Sequence, residues 1–158
     1  MSPDEPRPPG RPLGLQLALT AKSVGMAFNA ALQVQGGSVP VWLILNALTL
    51  EELETQLDLA RSLGIEGPTL TRHLDNLEEA GLVERRRSDE DRRAVRVALT
   101  PSGEAAYTSL RVAVGAFNDR LLDGISEAEQ AQLRELLERL GANAGEGVSA
   151  GPGWRPGT

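Results

Sequence analysis

Apolar residues recur at helical spacing along most of the chain, beginning with a long segment near the N-terminus. Residues 13–34 carry apolar side chains on more than one helix face, a pattern typical of a helix enclosed by a partner or a dimer. The glycine pair at 36–37 ends this helix. Residues 38–48 are mostly apolar and predict a short core helix. Pro40 is compatible with this helix, because proline is tolerated in a first helical turn.

A capping signal predicts the start of the following helix. The sequence Thr49-Leu50-Glu51-Glu52 has the spacing of a capping box, in which a hydroxyl and a carboxylate satisfy the first free amides of a helix. We therefore expect a helix over residues 50–63 that ends at Gly64. Its apolar stripe would consist of Leu53, Leu57, Ala60 and Leu63.

The helix predicted over residues 68–80 has the clearest amphipathic pattern. It starts with proline at the first helical position, which is a favoured place for that residue. Leu70, Leu74 and Leu77 lie at i, i+4 and i+7 and define its buried side. The opposite side carries Pro68, Arg72 and Asn76, and it is flanked by Thr69 and Thr71.

After this helix the apolar period changes from the helical value to two. Residues 82–87 predict one strand, and Val95, Val97 and Leu99 alternate with outward-facing residues in a second strand. The polar residues 88–93 would join them as a hairpin loop. Helical spacing then resumes over residues 101–140. A three-helix unit followed by a hairpin predicts a mainly α fold with a two-stranded β-wing, the winged helix-turn-helix.

These patterns divide the chain into five parts. Residues 1–12 are rich in proline and residues 141–158 in glycine, so both are interpreted as flexible tails. The winged-helix unit would occupy residues 38–100. A dimerisation region would combine the N-terminal helix, over 13–37, with the helices over 101–140.

The distribution of charge adds a function to this fold. The 158-residue chain has a formal net charge of -6, yet residues 85–96 contain six arginines and three acidic residues, which sum to about +3. Net charge reports on solubility and the long-range field, whereas binding to nucleic acid depends on the local patch. A solvated charged hairpin is the alternative, but a polar helix face directly before the arginines favours DNA.

Composition argues against several other classes of protein. The chain has no cysteine and one histidine, so thiol chemistry and a zinc site are not expected. His73 lies beside the leucine stripe, where packing or a phosphate contact is the preferred interpretation. Glu78 and Glu79 are adjacent and diverge on a helix, so we interpret them as solvated surface and predict no catalytic residues, metal or cofactor. The apolar runs are too short for a membrane span, and we expect a cytoplasmic protein.

The winged helix-turn-helix interpretation assigns DNA contacts to two elements. A recognition helix uses its N-terminal residues to reach base edges in the major groove, where arginine pairs with guanine through two hydrogen bonds. The hairpin arginines Arg92 and Arg93 would enter the adjacent minor groove, whose negative potential attracts them. Asp91 would hold the loop in shape by accepting loop hydrogen bonds or pairing with an arginine. A winged-helix module used only for protein contacts would need neither feature.

Two stretches of the sequence carry a resemblance to a known family. They are IEGPTLTRHLDNLEEAGLVERR and DEDRRAVRVALTPSGE, and the region from Leu53 to Gly103 resembles the MarR family of winged-helix transcriptional regulators. The family pattern has an aspartate at the wing tip, an arginine two residues later, an alternating strand and a glycine-bearing helix start. The matching residues here are Asp91, Arg93, Val95, Val97, Leu99, Thr100 and Gly103.

The resemblance implies how the protein works. Members are homodimers that interleave their terminal helices and bind pseudo-palindromic double-stranded operators, usually as repressors. Many release DNA when a small phenolic or anionic compound binds between the dimerisation and DNA-binding regions. On the helices where the family's pocket lies, this chain carries Met26, Phe28, Trp42 and Tyr107, and Lys22 or Arg111 could meet an anion. Equally, each of these residues could only pack the dimer core.

Overall fold

A computed structural model describes residues 11–51, 53, 55–87 and 94–144. These residues form six α-helices and one two-stranded antiparallel sheet, in the order predicted from the sequence. The mainly helical, winged helix-turn-helix fold class is therefore confirmed. The elements are α1 (Leu13–Gln33), α2 (Val39–Leu50), α3 (Gln56–Leu63), α4 (Gly67–Glu79), β1 (Val83–Arg87), β2 (Val95–Leu99), α5 (Pro101–Leu121) and α6 (Glu127–Asn143).

The core of the winged-helix unit lies between α2, α3, α4 and the sheet. Leu59 and Leu63 of α3 and all three leucines of α4 are fully or almost fully buried, and they meet the apolar face of α2. Because each of these helices buries one stripe, the three pack around a shared centre and leave their polar faces outside. The buried side chains that hold the unit together are Trp42, Ile44, Leu45, Leu59, Leu63, Leu70, Leu74, Leu77, Val83 and Val97.

The two strands pair as a hairpin with a register set by alternation. Val83 lies opposite Leu99, and Arg87 lies opposite Val95. Val97 faces the core while Arg96 is exposed, as the period of two predicts. Residues 88–93, predicted as the hairpin loop, lie outside the described residues.

The predicted start of the third helix is wrong. Thr49 belongs to the last turn of α2, where its hydroxyl donates to the Leu45 carbonyl at 2.8 Å. The capping box is formed instead by Thr55 and Asp58, whose carboxylate accepts from the Thr55 amide at 3.1 Å. Thr49 and Thr55 each precede an acidic residue at the same spacing. Thr49 does not cap a helix, however, because α2 continues through Leu50 and includes it.

The shorter helix also changes the apolar stripe of α3. Leu57 was predicted to be buried, yet 58% of it is exposed. The buried side chains are Leu59, Ala60 and Leu63. Because Glu51, Leu53 and Thr55 are not helical, Leu53 does not continue the helical wheel of α3. The buried stripe is set by the residues that follow Thr55.

Two helices leave large apolar surfaces uncovered. Every residue of α6 except Gln130 is exposed, including its four leucines, and α6 continues to Asn143, beyond the predicted end at residue 140. The first half of α1 is exposed as well. Exposed apolar surface of this size marks an interaction site. Among the described residues, no helical segment combines the length and the hydropathy that a membrane span requires.

Candidate nucleic-acid interface

Helices α3 and α4 form the helix-turn-helix. The capping box of Thr55 starts α3, and Gly64 ends it with a positive φ of 59°, a conformation that glycine adopts without steric cost. Helix α4 starts at Gly67, with Pro68 in its first turn. The tight turn brings the buried leucines of both helices together and leaves the outer face of α4 open to solvent.

The outer face of α4 carries the residues that the sequence assigned to the major groove. Pro68, Arg72 and Asn76 are exposed, and Thr69 is half-buried beside them. Arg72 has no hydrogen bond or ion pair with another described residue. Its guanidinium therefore keeps its donors for a ligand, which is what bidentate recognition of a base requires. His73 is half-buried beside the leucine stripe, as predicted.

Thr71 differs from its neighbours because its hydroxyl is already hydrogen-bonded inside the protein. It donates to the Gly67 carbonyl at 3.0 Å and accepts from the Gln56 amide at 2.8 Å. A hydroxyl has one proton to donate, so Thr71 is left only with the capacity to accept. Gln56 is not among the residues predicted from the sequence, since no local pattern shows that the first residue of α3 reaches α4.

Arg85 on β1 forms the densest group of polar contacts in the described structure. Its guanidinium binds Glu78 through Nε at 3.0 Å and through Nη2 at 2.6 Å, and Nη2 also lies 2.6 Å from Asp75. The hydrogen bond from Arg85 lowers the pKa of the Glu78 carboxyl below its ordinary 4.5, and the same contact raises the pKa of Arg85. Glu78 lies on the exposed helix surface, as predicted, but its carboxylate is paired with Arg85, which the sequence did not indicate.

The other two arginines of β1 are more accessible. Arg86 contacts Glu84 at 3.0 Å but keeps 76% of its side chain exposed, and Arg87 is exposed. Thus one arginine of the basic segment is neutralised by α4, whereas others face solvent. The predicted contacts Arg92 and Arg93, and the predicted supporting residue Asp91, lie outside the described residues.

The residues predicted to line a ligand pocket fall into three groups. Trp42 and Tyr107 stack with ring centroids 5.5 Å apart, and the Tyr107 hydroxyl donates to Asn46 at 3.3 Å. Phe28 pairs with Phe117 at 5.2 Å. The other three, Lys22, Met26 and Arg111, are exposed. Across the described residues, no group of three or more histidine or acidic side chains is arranged to hold a metal ion.

A helix-turn-helix with a solvent-facing recognition helix and an arginine-bearing hairpin defines the winged-helix class of DNA-binding transcriptional regulators. Residues 42–95 match the sequence profile of the MarR family. Transcriptional regulator PA3341 is 38% identical, with a TM-score of 0.68 over 83% of this chain and 96% of that one. The chain belongs to the MarR family, and it is a transcriptional regulator, not an enzyme.

Solved structures of similar proteins include complexes with DNA. A mutant MarR from E. coli complexed with operator DNA is 27% identical, with a TM-score of 0.74 over 82% of this chain and 93% of that one. The transcriptional repressor CouR bound to a 23-mer DNA duplex is also 27% identical, with a TM-score of 0.75 over 82% of this chain and 92% of that one.

Proposed function

We propose that the chain is a homodimeric repressor that binds a pseudo-palindromic operator and releases it when a small phenolic or anionic ligand binds. The observation that carries the proposal is the outer face of α4, where Arg72 and Asn76 are exposed directly opposite the buried leucines. The similar proteins named as an operator-bound MarR and a DNA-bound repressor support the same function for this chain.

The proposed DNA contacts combine the described face with the wing. Pro68, Thr69 and Thr71 would lie near the phosphates or base edges at the start of α4, and Arg72 and Asn76 would read bases. The wing residues Arg92 and Arg93, supported by Asp91, remain predicted minor-groove contacts on the strength of the family resemblance.

Homodimerisation is supported by the uncovered apolar faces of α1 and α6. A monomer would leave Leu133, Leu136, Leu137 and Leu140 exposed on one side of α6. Their spacing of i, i+3, i+4 and i+7 makes a continuous stripe, the arrangement by which helices pack on one another. Two-fold symmetry would then present two α4 helices about 34–36 Å apart, one turn of the DNA.

Arg72 tests the sequence-specific part of the proposal. The full-length chain is incubated with a pool of random duplexes, and the enriched sequences are read. We expect Arg72→Ala to lose preference at one base position in each half-site, because a bidentate arginine–guanine pair contributes about 1–3 kcal/mol of discrimination. Arg72→Lys is the matched control: it keeps the charge but not the planar fork, so it should lose the same preference. An unaltered enriched motif in both variants would refute this role.

Ligand release is supported by space between the helices that carry the predicted pocket residues. A shallow, open groove of about 350 Å³ lies between α1 and α5, and it combines an apolar wall with one cation. Its lining residues are Ser23, Val24, Ala27, Phe117, Arg120 and Leu121. One lining residue, Phe117, contacts Phe28 of the predicted group, and Arg120 offers a positive charge to an anionic aromatic compound.

Tryptophan emission provides a direct test of ligand binding. The chain has two tryptophans, and Trp154→Phe leaves the buried Trp42 as the single reporter. We expect benzoate to change the Trp42 emission with saturation and to weaken duplex binding over the same concentration range. Cyclohexanol serves as an uncharged, non-aromatic control. Flat emission and unchanged duplex affinity across a panel of aromatic acids and phenols would argue against ligand release.

A further inference from the structure

We propose that Arg85 is a positioning residue that fixes the wing to the recognition helix, so that Asp75 and Glu78 increase sequence selectivity despite adding negative charge next to DNA. This inference rests on the proposed DNA-binding function. It assigns a role to two acidic residues that lie on the same helix as Arg72 and Asn76. A protein that only attracted phosphates would be weakened by carboxylates at this place, because they repel DNA.

The contacts show that β1 is attached to α4 through both its backbone and a side chain. The Arg85 amide donates to Glu78 Oε1 at 3.1 Å, while its guanidinium donates to Glu78 Oε2 and to Asp75 Oδ1. Only 21% of the Arg85 side chain is exposed, compared with 76% for Arg86 next to it. The two arginines therefore differ in kind: one is held by the protein, and the other is available to solvent.

The charge balance argues that Arg85 does not serve as a phosphate contact. Two carboxylates surround one guanidinium, so the group as a whole carries about one net negative charge. Such a group repels phosphates and weakens binding to any DNA sequence. A bidentate, charge-assisted pair also has defined geometry, which makes it suitable for fixing one element relative to another.

The position of Arg85 in the hairpin explains what the contact would control. β1 directly precedes residues 88–93 in sequence, and that segment contains the arginines predicted for the minor groove. Anchoring β1 to α4 therefore fixes Arg87, the last residue before this segment in sequence, relative to Arg72. Correct spacing between major-groove and minor-groove contacts benefits the matching operator, whereas unselected DNA gains little from it.

The test uses the Asp75→Asn/Glu78→Gln double variant, which removes two negative charges with almost no change in shape. The probes are a duplex enriched from a random pool by the unaltered full-length chain and a scrambled duplex of equal length and composition. We expect affinity for the enriched duplex to fall about tenfold and affinity for the scrambled duplex to stay equal or rise. Selectivity is the ratio of the two affinities in one preparation, so it does not depend on the folded fraction.

Glu79→Gln is the charge control, because Glu79 is exposed and has no hydrogen bond or ion pair with another described residue. It should raise affinity for both duplexes equally and leave the ratio unchanged. If the double variant behaves like Glu79→Gln, with parallel gains and a constant ratio, the positioning role is overturned and the proposed function stands. If the unaltered chain enriches no sequence from the pool, the proposed function fails, and this inference fails with it.

Discussion

Replacing Leu136 and Leu140 of α6 with glutamate is expected to convert the protein to a monomer and to weaken operator binding by at least about a hundredfold. Both leucines are exposed in the single chain, so the substitutions leave the core of the winged-helix unit intact. In a dimer the same leucines would be covered, and a buried unpaired carboxylate is strongly unfavourable. DNA affinity falls because a monomer bound at one half-site no longer keeps a second recognition helix at high effective concentration near the other half-site.

Light scattering at micromolar protein concentration and duplex binding by gel shift measure the two effects together. The matched control is Ala131→Glu/Ala142→Glu, which adds the same charge to the opposite side of α6, where both alanines are also exposed. This control should remain dimeric and bind normally. Circular dichroism verifies that both double variants keep their helices. A leucine variant that scatters as a dimer, or a control that dissociates equally, would contradict the assignment of the α6 stripe to the dimer interface.

The sequence was sufficient to predict the order of elements because local signals agreed with packing. The stripe of Leu70, Leu74 and Leu77 predicted the buried face of α4, and its polar face follows from the same geometry. Helix α6 likewise starts at a local capping box, in which the hydrogen bonds from Ser126 lower the pKa of Glu129. Such elements depend on residues a few positions apart, so a single sequence contains the necessary information.

The start of α3 was mispredicted because two capping signals competed. Thr49 and Thr55 each precede an acidic residue by three positions, and propensity alone does not rank them. The choice is made by burial: extending α2 through Ala47 and Leu48 covers apolar surface, and only the later cap places Leu59 in the core. Tertiary packing therefore decided what the local pattern left open.

The sequence predicts which residues of the candidate interface share an exposed helix face, but not the hydrogen bonds that connect them to other elements. The sequence indicated which side of α4 is exposed, since that follows from the helical period. It did not indicate that Gln56 binds Thr71 or that Arg85 binds Glu78, because these partners lie on different elements. Their pairing depends on the packing angle between elements, and no alternation or spacing in one chain encodes that angle directly.

Gly103 connects the winged-helix unit to α5 through an unusually close backbone contact. A Cβ atom at this position would lie 2.0 Å from the Leu82 carbonyl oxygen, far inside van der Waals contact. The approach is fixed by Thr100, whose amide donates to that same carbonyl at 3.1 Å and whose hydroxyl donates to the Gly81 carbonyl at 2.6 Å. The family resemblance marked a glycine here, and the structure supplies its reason: only a residue without a side chain fits.

Gly103→Ala should therefore destabilise the protein by about 3 kcal/mol, since the clash is with backbone that has to move and not with a flexible side chain. For a chain of this size that corresponds to a fall of about 10 °C in the thermal unfolding midpoint, measured by calorimetry or circular dichroism. Gly115→Ala is the control in the same helix, because a Cβ there meets no atom within 4 Å. It should raise the midpoint slightly, as alanine loses less backbone entropy than glycine on entering a helix. If Gly103→Ala melted at the same temperature as Gly115→Ala, the close contact between Gly103 of α5 and the Leu82 carbonyl of the winged-helix unit would be contradicted.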